Sequence, residues 1–179
     1  MKKNSKTTKE FIDQSIGEWK SIRSSHSLSF QEFENTKSNI IISYLDNCNE
    51  EVKNLLQKFN FTLKPEFSVS ITWESYTDWV ENQQSIPKET ILIFLPKDKT
   101  SGLILRSQGY AELVSSCSTY FMDKNHNLDI FTEYSSIKSH ERIWFLSQNV
   151  RVRYSCIKNK NHDSVIQTSH SSEIRKIIT

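Results

Sequence analysis

Glycine, proline and cysteine are scarce in this chain, with only 3 residues of each among 179. With so few glycines, neither GxGxxG nor GxxxxGK[ST] occurs, which excludes a glycine-rich phosphate-binding loop. The cysteines, Cys48, Cys117 and Cys156, are odd in number and far apart, which indicates free thiols in a reducing compartment. The longest unbroken apolar run covers residues 91–95, far short of the ~20 residues that a membrane-spanning helix needs.

The charges of the chain are almost balanced, since 23 Lys and Arg oppose 21 Asp and Glu for a net charge of +2. This balance argues against a nucleic-acid-binding protein, which normally carries a basic stripe. It leaves room for a small anionic ligand held by a few cations. The 5 histidines are scattered without HExxH or paired Cys/His spacing, so no metal site is predicted.

The aromatic content of 11% is typical of a folded chain, and the length fits one domain. We predict a disordered tail over residues 1–7 and a single domain over residues 8–179. One helix is expected to begin at Thr8, with Thr8 as its cap, and a second to cover residues 50–59. Strands are predicted at 22–30, 38–45, 67–79, 90–95, 102–106, 110–121, 128–134, 141–147, 150–157 and 164–175.

About ten short strands, separated by turn residues at intervals of roughly 8 to 12 residues, predict an all-β sandwich or a closed antiparallel barrel with one or two short helices. A closed barrel has no exposed edges, and it can enclose a cavity for one small ligand. The first predicted strand alternates, with Ile22 and His26 on one side and Arg23 and Ser25 on the other.

Two arginines offer a candidate binding site. Arg151 and Arg153 lie two apart in one strand, so both side chains emerge on one face, with Ser155 beside them. They belong either to a solvated outer face or to a cavity in which guanidinium groups bind carboxylates. Glu173 and Arg175 form a second same-face pair, for which an exterior ion pair is also open.

Tryptophans in predicted strands offer a second clue to the ligand. Trp73, Trp79 and Trp144 either belong to the core or line a cavity for a flat conjugated molecule, since aromatic walls stack on a π system.

A series of short segments then narrows the function. In chain order they are GEWKSIRSSH at 17–26, VSITWE at 69–74, GLILR at 102–106, GYAE at 109–112, TEY at 132–134, ERIWF at 141–145, NVRVR at 149–153 and SEIR at 172–175. Together they resemble the S-type phycobiliprotein lyases, also called CpcS/CpeS chromophore lyases, over residues 10 to 176. The family often carries two adjacent histidines where this chain has only His26, followed by Ser27.

The resemblance implies a ten-stranded antiparallel barrel of the lipocalin and fatty-acid-binding-protein type. It also implies a lyase activity: such proteins bind an open-chain tetrapyrrole, a phycobilin, and attach it through a thioether to a cysteine of an apo-phycobiliprotein. The chain is most similar to the CpeS branch, which handles phycoerythrobilin on phycoerythrin; the CpcS branch handles phycocyanobilin. No cofactor of its own is implied, because the bilin is the bound substrate.

The resemblance also implies which residues act. Arg151, with Arg23 or Arg153, would neutralise the two propionates of the bilin. Glu141 or Glu173 would accept hydrogen bonds from the pyrrole N–H groups and favour the protonated bilin, which is more electrophilic.

Further residues would bind the substrate. Trp73, Trp79 and Trp144 would hold the tetrapyrrole, Ser155 would lie beside the arginines, and His26 would donate to a ring carbonyl or move a proton.

The partners implied are an apo-phycobiliprotein subunit, with phycoerythrin β as the expected acceptor, and a bilin reductase that hands over the phycobilin. A homodimer and a lyase heterodimer both stay open, whereas nucleic acid and membrane insertion are not expected. The compartment would be the cytoplasm of a cyanobacterium-type cell, a plastid stroma or a phage-infected host. The alternatives are a lipocalin-like carrier without ligation activity and an interaction-only subunit that needs a second lyase chain.

Overall fold

The computed structural model of the protein describes residues 6–77, 87–108 and 114–177. It contains two helices, α1 (Thr8–Ser15) and α2 (Glu50–Lys58). The strands are β1 (Gly17–Ser27), β2 (Glu32–Leu45), β3 (Phe67–Thr77), β4 (Lys88–Pro96), β5 (Ser101–Arg106), β6 (Ser116–Met122), β7 (Leu128–Glu133), β8 (Ile137–Ser147), β9 (Val150–Asn159) and β10 (Val165–Arg175).

The ten strands form one closed antiparallel barrel, as predicted. Each strand pairs with its neighbours in the chain, and β1 closes the barrel by pairing with β10 from Trp19 opposite Arg175 to Ser27 opposite Gln167. Closure satisfies the main-chain groups that an open sheet would leave at its edges.

Helix α1 closes one end of the barrel. Its N-cap is Thr7 rather than Thr8: the Thr7 hydroxyl accepts from the Glu10 main-chain N–H, and the Glu10 carboxylate accepts from the Thr7 N–H in return. The Lys6 main-chain N–H donates to the His126 ring. Lys6 and Thr7 thus contact the rest of the fold, while residues 1–5 lie outside the described part.

An apolar cluster fills the barrel beneath α1. Two residues of the helix, Phe11 and Ile12, insert into it. The strands contribute inward-facing residues from β3 to β8: Phe67, Val69, Leu92, Phe94, Ile104, Tyr120, Met122, Leu128, Ile130 and Ile143. We call the opposite end of the barrel the mouth; the turns after β1, β7 and β9 lie there.

Helix α2 packs on the outside of the barrel. Val52 and Leu55 are buried against the outward side chains of β4 and β5, among them Ile91, Ile93 and Leu105. No helix in the described ranges has the length and hydrophobicity to cross a membrane.

The side of β1 that faces the interior is its polar side. Ser21 and Ser25 point inward and are buried, whereas Ile22 is 58% exposed on the outer wall. The strands β9, β10 and β1 thus present polar side chains to the interior along their length, so the barrel has a polar wall beside its apolar cluster.

We expect Phe11→Ala to destabilise the fold by about 3–5 kcal/mol, because it opens a cavity where α1 closes the barrel. The free energy of unfolding in denaturant measures this effect. Phe33→Ala removes the same ring from a 59% exposed position on β2, and it should change that free energy by less than about 1 kcal/mol. Equal losses of unfolding free energy in the two variants would contradict the role of α1 in closing the barrel.

Candidate functional site

The polar wall consists of inward-facing residues of β1, β10 and β9 that meet in register. Because strand side chains alternate between faces, every second residue of each strand contributes to it. Its three rows are Ser21–Glu173–Arg151, Arg23–Ser171–Arg153 and Ser25–Ser169–Ser155.

Arg151 and Glu173 form a buried ion pair inside the barrel. Their side chains are both 2% exposed, and the Arg151 guanidinium donates to Glu173 Oε2. Burial lowers the pKa of Arg151, and the Glu173 carboxylate opposes that shift. The interior arrangement excludes a solvated outer face for Arg151.

Arg175 does not pair with Glu173. Its guanidinium donates instead to the main-chain carbonyl oxygens of Ile16 and Gln14, at the end of α1. The exterior Glu173–Arg175 ion pair that the sequence left open is therefore absent from the structure.

A second buried ion pair crosses the barrel. Arg106 lies on β5 and Glu141 on β8, with β6 and β7 between them. Arg106 Nη2 donates to Glu141 Oε1 at 2.9 Å, and both side chains are buried. The curvature of the barrel wall brings these residues together.

Arg153 lies between the two carboxylates. Its Nη1 atom is 3.9 Å from Glu141 Oε2, and its Nε atom is 3.9 Å from Glu173 Oε1. Both distances exceed a hydrogen bond, so these carboxylate oxygens retain capacity to accept one from a ligand. The result is a chain of alternating charge, which we call the charge chain: Arg106, Glu141, Arg153, Glu173 and Arg151.

Trp19 anchors one end of the charge chain. Its ring lies between the guanidinium groups of Arg151, at 4.7 Å, and Arg175, at 4.3 Å. The Trp19 Nε1–H donates to the Ser15 carbonyl oxygen at 2.9 Å, which links the chain to α1. Such cation–π contacts favour a fixed position for each guanidinium.

Arg23 differs from Arg106, Arg151 and Arg153 in its surroundings. It points inward from β1 and is half-buried, yet no carboxylate in the described ranges lies within ion-pair distance, and its Nε atom has no acceptor there. Among the buried and half-buried side chains that the structure describes on the polar wall and on β5 and β8, four guanidinium groups (Arg23, Arg106, Arg151 and Arg153) accompany two carboxylates, Glu141 and Glu173.

Several buried hydroxyl groups of the interior also lack a partner among the described residues. Buried polar groups are normally hydrogen-bonded, so these groups indicate a ligand with polar atoms. They belong to Ser25, Thr36, Ser116 and Ser139. Ser155, in contrast, shares a 2.7 Å hydrogen bond with Ser169.

The tryptophans separate into different environments. Trp73 points inward from β3, half-buried, between Ile40 and Lys88 in the register. Trp144 is on the outer face of β8, because the inward positions are the alternate residues Glu141 and Ile143. Trp144 therefore does not point into the barrel, contrary to the prediction. Trp79 lies outside the described residues.

His26 is also on the outer wall. Its position alternates with the inward Arg23 and Ser25, and its exposed ring contacts the Phe33 ring at 5.1 Å. The structure thus brings together Glu141, Glu173, Arg151, Arg153, Arg23 and Ser155, but not His26 or Trp144.

Sequence reasoning missed Arg106 and Trp19. Arg106 could have been found, because it shares strand parity with the buried Ile104 and ends the recognised segment at 102–106. Within residues 6–77, 87–108 and 114–177, no three His, Cys, Asp or Glu side chains come together in a way that could hold a metal ion.

Comparison with known proteins gives matches along the whole barrel. The model of the family described as CpeS-like protein matches residues 7–176. A chromophore lyase CpcS/CpeS 3 of Trichodesmium erythraeum is 40% identical over 169 residues, covering 93% of this chain and 97% of the relative. A phycocyanobilin lyase subunit CpcS of Picosynechococcus is 29% identical over 153 residues, covering 84% and 77%.

A solved structure shares the fold. The S-type phycobiliprotein lyase CPES of Guillardia theta superposes with a TM-score of 0.83 at 28% sequence identity. The superposition covers 97% of this chain and 94% of that one.

We expect Arg151→Met alone to destabilise the protein by about 3–5 kcal/mol, because it leaves the Glu173 carboxylate buried without its main partner. The double variant Arg151→Met with Glu173→Leu should regain most of that loss, as measured by denaturant unfolding. Lys160→Met, which removes an exposed pair with Glu133, should leave the unfolding midpoint unchanged. Additive losses in the double variant would show that the pair is not coupled.

Proposed function

This chain belongs to the CpeS-like family, and on that premise we propose that it is a bilin lyase that attaches an open-chain tetrapyrrole to a cysteine of an apo-phycobiliprotein. The observation that carries the proposal is the charge chain, buried in a barrel that α1 closes at one end. A structural core has no need of so many buried charges, which are expensive to desolvate.

The guanidinium groups suit the anionic groups of the substrate. A phycobilin carries two propionates, and the described part of the polar interior places four guanidinium groups beside the two glutamates. Arg23 and Arg153 are the propionate ligands that we favour, because both are only half-buried on the polar wall, whereas Arg151 and Arg106 are buried against glutamates. Guanidinium forks match carboxylates in geometry as well as in charge.

The glutamates suit the other polar groups of the substrate. Glu141 Oε2 and Glu173 Oε1 can accept from the pyrrole N–H groups and stabilise the protonated bilin. The acceptor thiol then adds across the exocyclic ethylidene double bond of ring A. A sulfur–carbon bond forms, the thiol proton is transferred to the tetrapyrrole, and no external oxidant or reductant is consumed. The nucleophile thus comes from the partner protein.

The bilin that we propose is phycoerythrobilin, and the proposed acceptor is phycoerythrin β. Support for this choice comes from the CpeS-like family model and from the Guillardia theta protein, which is named CPES. The Picosynechococcus relative is named for phycocyanobilin, so that bilin is the competing substrate in the test.

Co-production of the chain with a bilin-synthesis system and an apo-phycobiliprotein should yield a bilin adduct on the acceptor that survives denaturation. The chain itself should release its bilin on denaturation, because ligation uses the partner's thiol. Zinc-stained denaturing gels and absorption spectra measure both. Binding without any adduct on the acceptor would instead identify a carrier, and preference for phycocyanobilin would overturn the choice of bilin.

We expect Arg23→Met to weaken binding of a bilin with free propionates by about tenfold or more, because one charge-assisted contact is lost. The matched control is Lys20→Met, which removes a charge from the exposed outer face of the same strand. Titration with biliverdin and with its dimethyl ester, which has no free propionates, separates the loss of a propionate contact from a general loss of binding. The ester should bind the two variants equally well, and a loss that persists with the ester would contradict the propionate role.

A further inference from the structure

A buried polar pair lies on the wall opposite the main arginine cluster. Arg106, the last residue of β5, is in register with Ser116, the first residue of β6. Both point into the barrel near its mouth, and each residue is only 6% exposed. The pair is therefore a buried part of the interior rather than a solvated rim.

The pair has unused hydrogen-bonding capacity. Arg106 Nη2 is occupied by Glu141, but neither Arg106 Nε nor the Ser116 hydroxyl has a partner in the part of the chain that the structure describes. Two buried donors on adjacent strands without acceptors indicate an acceptor supplied by a ligand.

Charge selects the kind of acceptor. The Arg106 charge is already offset by Glu141 at 2.9 Å, so the surroundings are close to neutral. A propionate beside Arg106 would gain little, because that guanidinium already has Glu141 at hydrogen-bond distance, whereas Arg153 lies 3.9 Å from its carboxylates. A neutral carbonyl oxygen carries two lone pairs, and it can accept from both donors without adding a charge.

We propose that Arg106 Nε–H and the Ser116 hydroxyl form a subsite for a neutral carbonyl oxygen, the lactam carbonyl of one terminal ring of the tetrapyrrole. This inference rests on the proposed function, and it gives the bilin a direction inside the barrel. One terminal ring is held at the mouth, while the propionates face Arg23 and Arg153 on the opposite wall. The subsite takes the role that the sequence suggested for His26, which lies outside the barrel.

The test uses the purified chain with biliverdin, an open-chain tetrapyrrole that carries a lactam carbonyl on each terminal ring. Ser116→Ala should weaken binding by about three- to tenfold, because a neutral hydrogen bond is lost. It should also raise the carbonyl stretching frequency of the bound bilin in Raman or infrared spectra. Ser118→Ala is the matched control, since its buried hydroxyl already shares a 2.7 Å bond with Thr132 on the neighbouring strand.

Arg106→Lys provides a second, independent variant. It keeps a positive charge for Glu141 but has no Nε–H group, so the carbonyl frequency should rise as in Ser116→Ala. Identical frequencies in wild type, Ser116→Ala and Arg106→Lys would overturn the subsite. A wild-type chain that binds no bilin would instead contradict the proposed function, so the two failures are distinguishable.

Discussion

The pairing of buried guanidinium groups with buried carboxylates is the constraint on which the interior depends. A charge moved out of water is destabilising unless another charge and hydrogen bonds compensate for it. Here Arg151 and Glu173 join β9 to β10, while Arg106 and Glu141 join β5 to β8, which the curvature of the barrel wall brings together. The same pairing holds the polar groups that we propose to bind substrate, so stability and binding draw on one network.

The barrel could be predicted because its signals are local: turn residues separate short alternating segments. The inward face of β1 could not be predicted from hydrophobicity, since Ile22 points to solvent and Ser21 to the interior. On this wall the usual rule, that apolar side chains are buried and polar side chains are exposed, is reversed, as a polar ligand in the barrel would require. The apolar cluster under α1 follows the rule, so one barrel combines both patterns.

The site was predictable where it depends on spacing within a strand, as for Arg151 and Arg153. Spacing would also have excluded Trp144 as a cavity residue once Glu141 was chosen, because residues three apart in a regular strand face opposite sides. The ion pair between Arg106 and Glu141 joins residues 35 positions apart. No local pattern specifies such a contact, which results from the closure and register of the whole sheet.

Closure of one barrel end by α1 affects how a ligand can be loaded and released. The apolar cluster around Phe11 fills the α1 end of the barrel, so the proposed bilin would enter and leave at the opposite end. Loading and release of the proposed bilin would then use the same end of the barrel. On the proposed function, a bilin donor and the acceptor subunit would therefore occupy that end of the barrel in turn.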